Sequence, residues 1–398
     1  MVGVEIGPSK EGSFIGGSVN NVINISRELF RKGHQLHLIT SPARFSEGRS
    51  FNPHWIEVRQ LKIHGKYPSF NYGMEFILKS IQTIKRFQRK NLIDIVHGHS
   101  GFPVIGLVPS LSRRILSIPS IHSLYCPLEE KGRDKILFQL TQSPYITKNV
   151  HLSVDRILAL TKNIKNSLKK IGIQDKKITV IPPAIDTDRF SKSVSGIQIR
   201  ESLGIEAGKR IILFVGNLTK TKGIDLLVNA FKKVQEVIPS AHLLIALHMP
   251  NYKLEEETAS LKQKLDILNL SKQVTFMGIT TRMAQVYAAC DVFVAPFRNT
   301  YGPSDYPLPV MEAMASGKPV IASSVGGLTE LITHNNNGIL VNPGSVSELI
   351  KAIVNVLEDE KRARKIADNA SIYVKNNFSI ENIVEKIESI YERFTNCD

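Results

Sequence analysis

The chain alternates short runs of β-branched and aliphatic residues with longer stretches whose apolar positions recur every three or four residues. The first kind predicts strands and the second amphipathic helices, and their steady alternation predicts βαβ units on parallel sheets. In the first half, residues 2–6, 36–40, 93–97, 120–122, 157–160 and 178–181 read as strands. Residues 19–32, 74–90 and 162–171 read as helices. In the first of these, Val22, Ile25, Leu29 and Phe30 share a face, and Gly33 follows as a C-terminal cap. The rhythm breaks at 182–197, where Pro182 and Pro183 forbid helix and a polar run predicts a linker. It restarts with strands at 210–215, 242–247, 274–277, 292–295 and 319–322. Helices are predicted at 223–237, 255–268, 310–315, 346–357 and 380–394. The pattern predicts two α/β domains in tandem.

Composition narrows the partners. A chain of 398 residues, 42% of them hydrophobic, can build two cores. It has no run of about 18 uncharged apolar residues to span a bilayer. The start, MVGVEIGPSKEG, lacks the basic and apolar regions of a secretory signal. Cys126, Cys290 and Cys397 have neither disulfide-framework nor zinc spacing, so a reducing, cytoplasmic setting is expected. The net charge of +15 is uneven: residues 1–190 carry 28 Lys+Arg against 14 Asp+Glu, and residues 191–398 carry 23 against 22. A basic first half predicts an anionic partner there. Its basic residues are not interleaved with aromatic ones, so nucleic acid is not expected. Lys79, Lys85, Arg86, Arg89 and Lys90 crowd one amphipathic stretch, whose Ile77, Ile81, Ile84 and Phe87 predict a stripe packed on its own sheet.

The chemistry concentrates at 301–330, where a Gly/Pro-rich loop runs into an apolar helix. The open N–H groups and positive pole of such a helix start favour phosphate or hydroxyl ligands. Glu312 lies among apolar neighbours, where a carboxylate is costly without a partner, so it is a candidate acceptor of hydrogen bonds from two sugar hydroxyls.

Here the chain resembles glycosyltransferase family 4. The resemblance rests on Pro309-Val310-Met311-Glu312-Ala313-Met314-Ala315-Ser316-Gly317, then Pro319-Val320-Ile321-Ala322, Gly326-Gly327 and Glu330. Upstream, Gly16-Gly17, Arg31-Lys32-Gly33-His34, Asp94-Ile95-Val96-His97-Gly98-His99 and Pro119-Ser120-Ile121-His122 extend it. So do Ile185-Asp186-Thr187-Asp188-Arg189-Phe190, Phe214-Val215-Gly216, Lys222-Gly223 and Asp291-Val292-Phe293-Val294-Ala295-Pro296.

The resemblance implies an α/β fold of two Rossmann-like domains facing a cleft (GT-B). An acceptor-side domain is expected over 1–190, a donor-side domain over 191–375, and a C-terminal helix over 376–398 that returns to the first domain. It implies a retaining transferase that moves a sugar from a nucleoside diphosphate donor, expected to be UDP-linked. It also implies roles for His122 and Glu312 in catalysis, and for Gly16, Gly17, Asn217, Lys220, Lys222, Ser304, Asp305, Leu308, Pro309 and Glu312 at the donor. No metal or other cofactor is expected, because a lysine charge would serve the leaving diphosphate. Asp186-Thr187-Asp188 falls in the interdomain match and is not read as a metal site. Where the family carries a Glu eight residues before the helix Glu, this chain has Ser304; where it carries an Arg beside the lysine, this chain has Asn217. Pro183-Ala184 likewise replaces a common Asn-Gly.

The acceptor is open between a sugar, a lipid-linked and a phosphorylated molecule, with a peripheral position at the cytoplasmic membrane face among the expectations. Two other functions share these features: a sugar-nucleotide epimerase and a non-catalytic nucleotide-sugar binder. A dinucleotide oxidoreductase does not, because Gly12, Gly16 and Gly17 miss the G-x-G-x-x-G spacing.

Overall fold

The computed structural model describes residues 2–3, 17–40, 54–64, 70–100, 106–126, 144–247, 254–300 and 305–395. The chain divides into two compact units. One comprises Met1–Ala184, Tyr301–Asp305 and Ile380–Asp398, and the other Ile185–Thr300 and Tyr306–Ser379. The division thus falls at 184/185, six residues before the expected boundary at 190.

In the first unit the order is β1 Val2–Gly3, α1 Gly17–Arg31, β2 His37–Thr40, β3 Glu57–Gln60, α2 Phe70–Gln88, β4 Val96–Ser100 and α3 Leu107–Leu116. It continues with β5 Ser120–Leu124, α4 Pro144–Leu152, β6 Arg156–Ala159, α5 Lys162–Lys170 and β7 Ile178–Val180. The described strands form one parallel sheet in the order β3-β2-β1-β4-β5-β6-β7. The order reverses between β1 and β4, and in open sheets ligands bind beyond the strand ends at that point. The C-terminal helix Ile380–Thr395 belongs to this unit and buries Ile383, Val384 and Ile387 with Ile25 and Leu29 of α1 and with Ile121 and Leu158 of the sheet. Glu388 of that helix is held by Lys32 at 2.6 Å and His34 at 2.9 Å, so the turn after α1 grips it by charge as well as by packing.

The second unit repeats the plan. It runs α6 Ile197–Ser202, β8 Arg210–Gly216, α7 Ile224–Val237, β9 Ala241–Leu247, α8 Leu254–Ile267, β10 Val274–Met277, α9 Met283–Ala289 and β11 Val292–Ala295. Then follow α10 Leu308–Ala315, β12 Val320–Ser323, α11 Leu328–Leu331, β13 Ile339–Val341, α12 Val346–Glu358 and α13 Glu360–Phe378. Its parallel sheet has the order β10-β9-β8-β11-β12-β13 and reverses between β8 and β11. Both faces are covered, so β8 and β11 read as unbroken apolar runs, buried from Ile211 to Gly216 and from Val292 to Ala295.

Candidate functional site

The loop after β8 sits at the reversal point of the second sheet. Gly223, at φ +70°, ends a short turn over Lys220–Lys222 and opens α7 with no side chain capping it. A Cβ on Gly223 would lie 1.9 Å from the Pro296 carbonyl oxygen, so only glycine lets this loop lie against the end of β11. Arg298, just beyond β11, fastens it from the other side. Its guanidinium donates to both Asp225 oxygens at 2.7 Å and to the Lys220 carbonyl at 2.6 Å, and its backbone N–H donates to Thr221 at 2.9 Å. The ion pair holds the Asp225 carboxyl below its usual range. On this braced loop the Lys222 ammonium lies 4.0 Å from the centroid of the buried Phe297 ring, Lys220 is exposed and Asn217 is half-buried. Two lysines and a helix start without a side-chain cap are groups that can attract a dianion.

Glu312 lies on α10, which begins after Pro307 and buries Leu308, Val310, Met311, Ala313, Met314 and Ala315. Pro309 is half-buried in its first turn, and Leu308 is turned into the core. Glu312 is the one polar residue of this eight-residue helix. Its Oε2 accepts the Tyr287 hydroxyl at 2.8 Å, and no other hydrogen bond reaches the carboxylate among the described residues. Tyr287, on α9, is fixed edge-on between Phe190 and Phe293. Burial pushes the Glu312 carboxyl up to about 6, opposed by the Tyr287 hydrogen bond and the nearby Arg189 charge. Tyr287→Phe removes one of the two opposing effects. The Glu312 carboxyl is therefore expected to titrate higher than in the wild type, read from the pH dependence of its side-chain carbon resonance.

In the first unit His122, on β5, has no exposed surface, and its Nδ1 lies 2.8 Å from Nε2 of His151 on α4. A Cβ at Gly106 would come within 2.7 Å of that Nδ1, so glycine makes room for the pair. Burial, then the His151 and His99 charges, push the His122 imidazole well below its usual range. The His122 ring is therefore neutral at pH 7 and shares one hydrogen bond with His151. Beside it, His97 bonds Tyr391 at 2.6 Å and Ser123 at 2.8 Å, and His99 bonds the Tyr125 hydroxyl at 2.8 Å. That hydroxyl also takes the Asn21 amide at 3.3 Å, while Asn21 Oδ1 accepts the Ala184 N–H at 2.8 Å.

The residues named from sequence fall into separate groups. Asn217, Lys220 and Lys222 share one loop, and Glu312 lies on α10 with Tyr287. Gly17 starts α1, while Gly16 and Ser304 lie outside the described residues. Asp305 is placed in the first unit, its carboxylate on Thr161 and Asn163. Asp186 Oδ1 accepts the Arg189 N–H at 2.9 Å, a turn bond. Cys290 is buried, its thiol pushed up to about 12, and is no thiolate nucleophile.

Sequence reasoning missed Tyr287, Arg298 and His151. Arg298 alone carried a local signal, as a charge two residues past the Pro296 that ends a strand.

Comparisons with known proteins agree with this architecture. A family model described as Glycosyltransferase Family 4 matches residues 15–189, and one described as Glycosyl transferases group 1 matches 197–373. The chain is similar to N-acetyl-alpha-D-glucosaminyl L-malate synthase of Bacillus anthracis, at 24% identity over 98% of this chain and 96% of that one. It is also similar to D-inositol 3-phosphate glycosyltransferase of Corynebacterium aurimucosum, at 25% identity over 98% and 94%. Among solved structures, sucrose-phosphate synthase of Thermosynechococcus elongatus superposes with a TM-score of 0.83 at 22% identity, covering 100% of this chain and 98% of that one. Anabaena HepE in complex with UDP does so at 0.79 and 21%, covering 98% and 99%. HepE in complex with UDP-glucose gives 0.78 and 20%, again covering 98% and 99%. Two family models that together run from residue 15 to 373, on two parallel-sheet α/β units, make this chain a member of glycosyltransferase family 4, an enzyme with the GT-B fold.

Proposed function

We propose that this glycosyltransferase takes a hexose-type sugar from a uridine diphosphate donor bound by the second unit and transfers it with retention at the anomeric carbon. The observation that carries the reading is the pair Lys220 and Lys222 at the uncapped start of α7, on a loop braced by Arg298. As the glycosidic bond breaks, negative charge grows on the leaving diphosphate, and fixed positive charge beside it lowers that barrier without a metal ion. Glu312 accepts hydrogen bonds from ribose or sugar hydroxyls. The leaving phosphate receives the acceptor's proton, and His122 is assigned to the transferring sugar. The UDP and UDP-glucose named for the HepE structures support uridine as the base. UDP is expected to raise the melting temperature saturably, because a ligand that binds only the folded state stabilises it by mass action. GDP and ADP should do so less. Equal shifts with all three would remove the uridine assignment, and no shift with any would remove the site.

The acceptor side is read as the basic first unit, meeting an anionic acceptor or membrane face. No described helix is long and apolar enough to cross a membrane. On α2, Ile77, Ile84 and Phe87 pack into the unit's own core, while Lys85, Arg86, Arg89 and Lys90 are exposed around the helix end. Lys79 is spent on Glu75 at 2.6 Å and leaves this set. The Gln88 amide donates to the Leu116 carbonyl at 2.7 Å, drawing in the end of α3 with exposed Arg114 and Ile115, while Arg113 is spent on Asp155 at 3.0 Å. Each cation near an anionic surface contributes about 1 kcal/mol, screened over about 10 Å at 0.1 M salt. Co-sedimentation with anionic vesicles, lost as salt rises and lost in the variant with Lys85, Arg86, Arg89 and Lys90 changed to Gln, is the expected result. Equal recovery on neutral vesicles, or none on either, would remove the membrane reading.

A further inference from the structure

Among the described residues, Asp305 is the only Asp, Glu, Lys or Arg without exposed surface, whereas the half-buried Glu312 keeps part of its surface open. A carboxylate out of water is costly unless its oxygens are bonded. Asp305 Oδ2 accepts the Thr161 hydroxyl at 2.6 Å and the Asn163 side-chain amide at 3.2 Å. The Asp305 N–H donates to the Tyr125 carbonyl at 3.1 Å. Thr161 is itself fully buried and caps α5, its hydroxyl oxygen accepting the Ile164 N–H at 3.0 Å. The carboxylate therefore lies at the positive end of a nine-residue helix, where a negative charge is favoured.

All of these partners belong to the first unit, as does the segment Tyr301–Asp305. The chain on either side of that segment, through Thr300 and from Tyr306, belongs to the second. Pro307 and α10, which carries Glu312, follow directly.

We propose that Asp305 is a positioning residue and not a donor ligand: its bond to the α5 cap fixes the chain that leads into α10, the helix that carries Glu312. Asp305 commits its Oδ2 to the Thr161 hydroxyl and the Asn163 amide within the first unit. It acts through the backbone it anchors. The proposal rests on the donor reading of Glu312 for its kinetic consequence, but the anchor has a signature of its own.

The test uses the full chain with Asp305→Ala, Asp305→Asn, Thr161→Val and the double variant Asp305→Ala/Thr161→Val. Three readouts are taken: UDP affinity by calorimetry, the steady-state rate of UDP release from a nucleotide sugar, and amide hydrogen exchange over residues 300–307. Asp305→Ala and Thr161→Val are each expected to lower kcat on the order of 10- to 100-fold, the scale of a small misplacement of reacting groups. UDP affinity falls much less than the rate, because the diphosphate is assigned to the Lys220–Lys222 loop, and exchange over 300–307 speeds up. In rate the double variant is no worse than Asp305→Ala alone, because both changes break the Thr161–Asp305 bond, while the α5 cap that Thr161→Val also removes is read separately as a loss of thermal stability. Asp305→Asn recovers part of the rate, since its amide oxygen still accepts the Thr161 hydroxyl. Should Asp305→Ala fail to fold, Thr161→Val and Asp305→Asn carry the comparison.

Loss of UDP affinity in step with rate would make Asp305 a donor contact and overturn the proposal. Unchanged rate with unchanged exchange would overturn it as well. If the wild type releases no nucleoside diphosphate from any donor, the proposed function fails instead. Exchange at 300–307 then decides the anchor alone: faster in Asp305→Ala upholds it, unchanged rejects it.

Discussion

Glu312→Ala is expected to lower kcat/KM for the donor about 30-fold or more, the equivalent of about 2 kcal/mol for a lost charge-assisted hydrogen bond. The expectation rests on what surrounds the carboxylate. Seven of the eight residues of α10 are apolar and six of them are buried, and Tyr287 takes one of its oxygens. An acid kept in such a place, with acceptor capacity unused by the described protein, is matched to a ligand that donates. Its titration gives a second observable. Burial raises the carboxyl from 4.5 to about 6, so below that pH it carries a proton and loses acceptor capacity. Donor affinity and turnover should rise with pH through about 6, and Glu312→Gln should abolish this step while keeping the side-chain shape.

Stability moves the other way. The folded state binds this proton more tightly than the unfolded chain does. The contribution to stability is fully present below the unfolded value of 4.5 and is lost as pH rises through about 6. A pH–rate profile and a pH–stability profile of opposite slope across the same window would identify Glu312. Glu312→Ala with unchanged donor kinetics would end its assignment.

Lys222→Ala is expected to lower kcat roughly 100-fold, the scale for removing one fixed positive group from a developing negative charge. Lys222 is more than a solvated lysine, because its ammonium rests on the buried Phe297 ring and its loop is pinned at Gly223 and by Arg298. A charge already in position does not spend entropy on reaching the diphosphate. Lys220, exposed on the same short turn, should matter less alone. Asn217 brings no charge of its own, so on the proposed function the two lysines are expected to share the work. The double change is expected to cost more than the sum of the singles, and strict additivity would count against sharing.

The second half was the more legible in sequence, for a physical reason. Where a sheet is covered on both faces its strands become buried, largely apolar runs, and 210–215, 292–295 and 319–322 match β8, β11 and β12 to within a residue. Helix α10 begins at Leu308, two residues before the start at 310 that its apolar run predicts, because Pro309 fits its first turn. Helix α13 went unread although it has 19 residues. Its buried face is Ala363, Ile366, Ala367, Ala370, Val374 and Phe378, half of it alanine, too weak an apolar signal among so many charges. Edge strand β3, Glu-Val-Arg-Gln, went unread because its alternation covers only four residues. At the site, spacing exposed the residues that lie together in sequence, such as Lys220 and Lys222. Partners joined only by folding left no trace: Tyr287 is 25 residues from Glu312, and Thr161 is 144 from Asp305. Asp305 was accordingly read as a donor residue from its place in the loop, and only its burial on Thr161 separates anchoring from binding.

The central claim is that the braced lysine loop and Glu312 serve cleavage of a nucleotide sugar. It is tested most directly by incubating the purified chain with UDP-, GDP- and ADP-sugars, without acceptor, and following release of free nucleoside diphosphate. Slow release of UDP from a UDP-sugar is expected, strongly reduced in both Lys222→Ala and Glu312→Ala. Tight binding of the donor with no release by the wild type, or release that both variants retain in full, would contradict it.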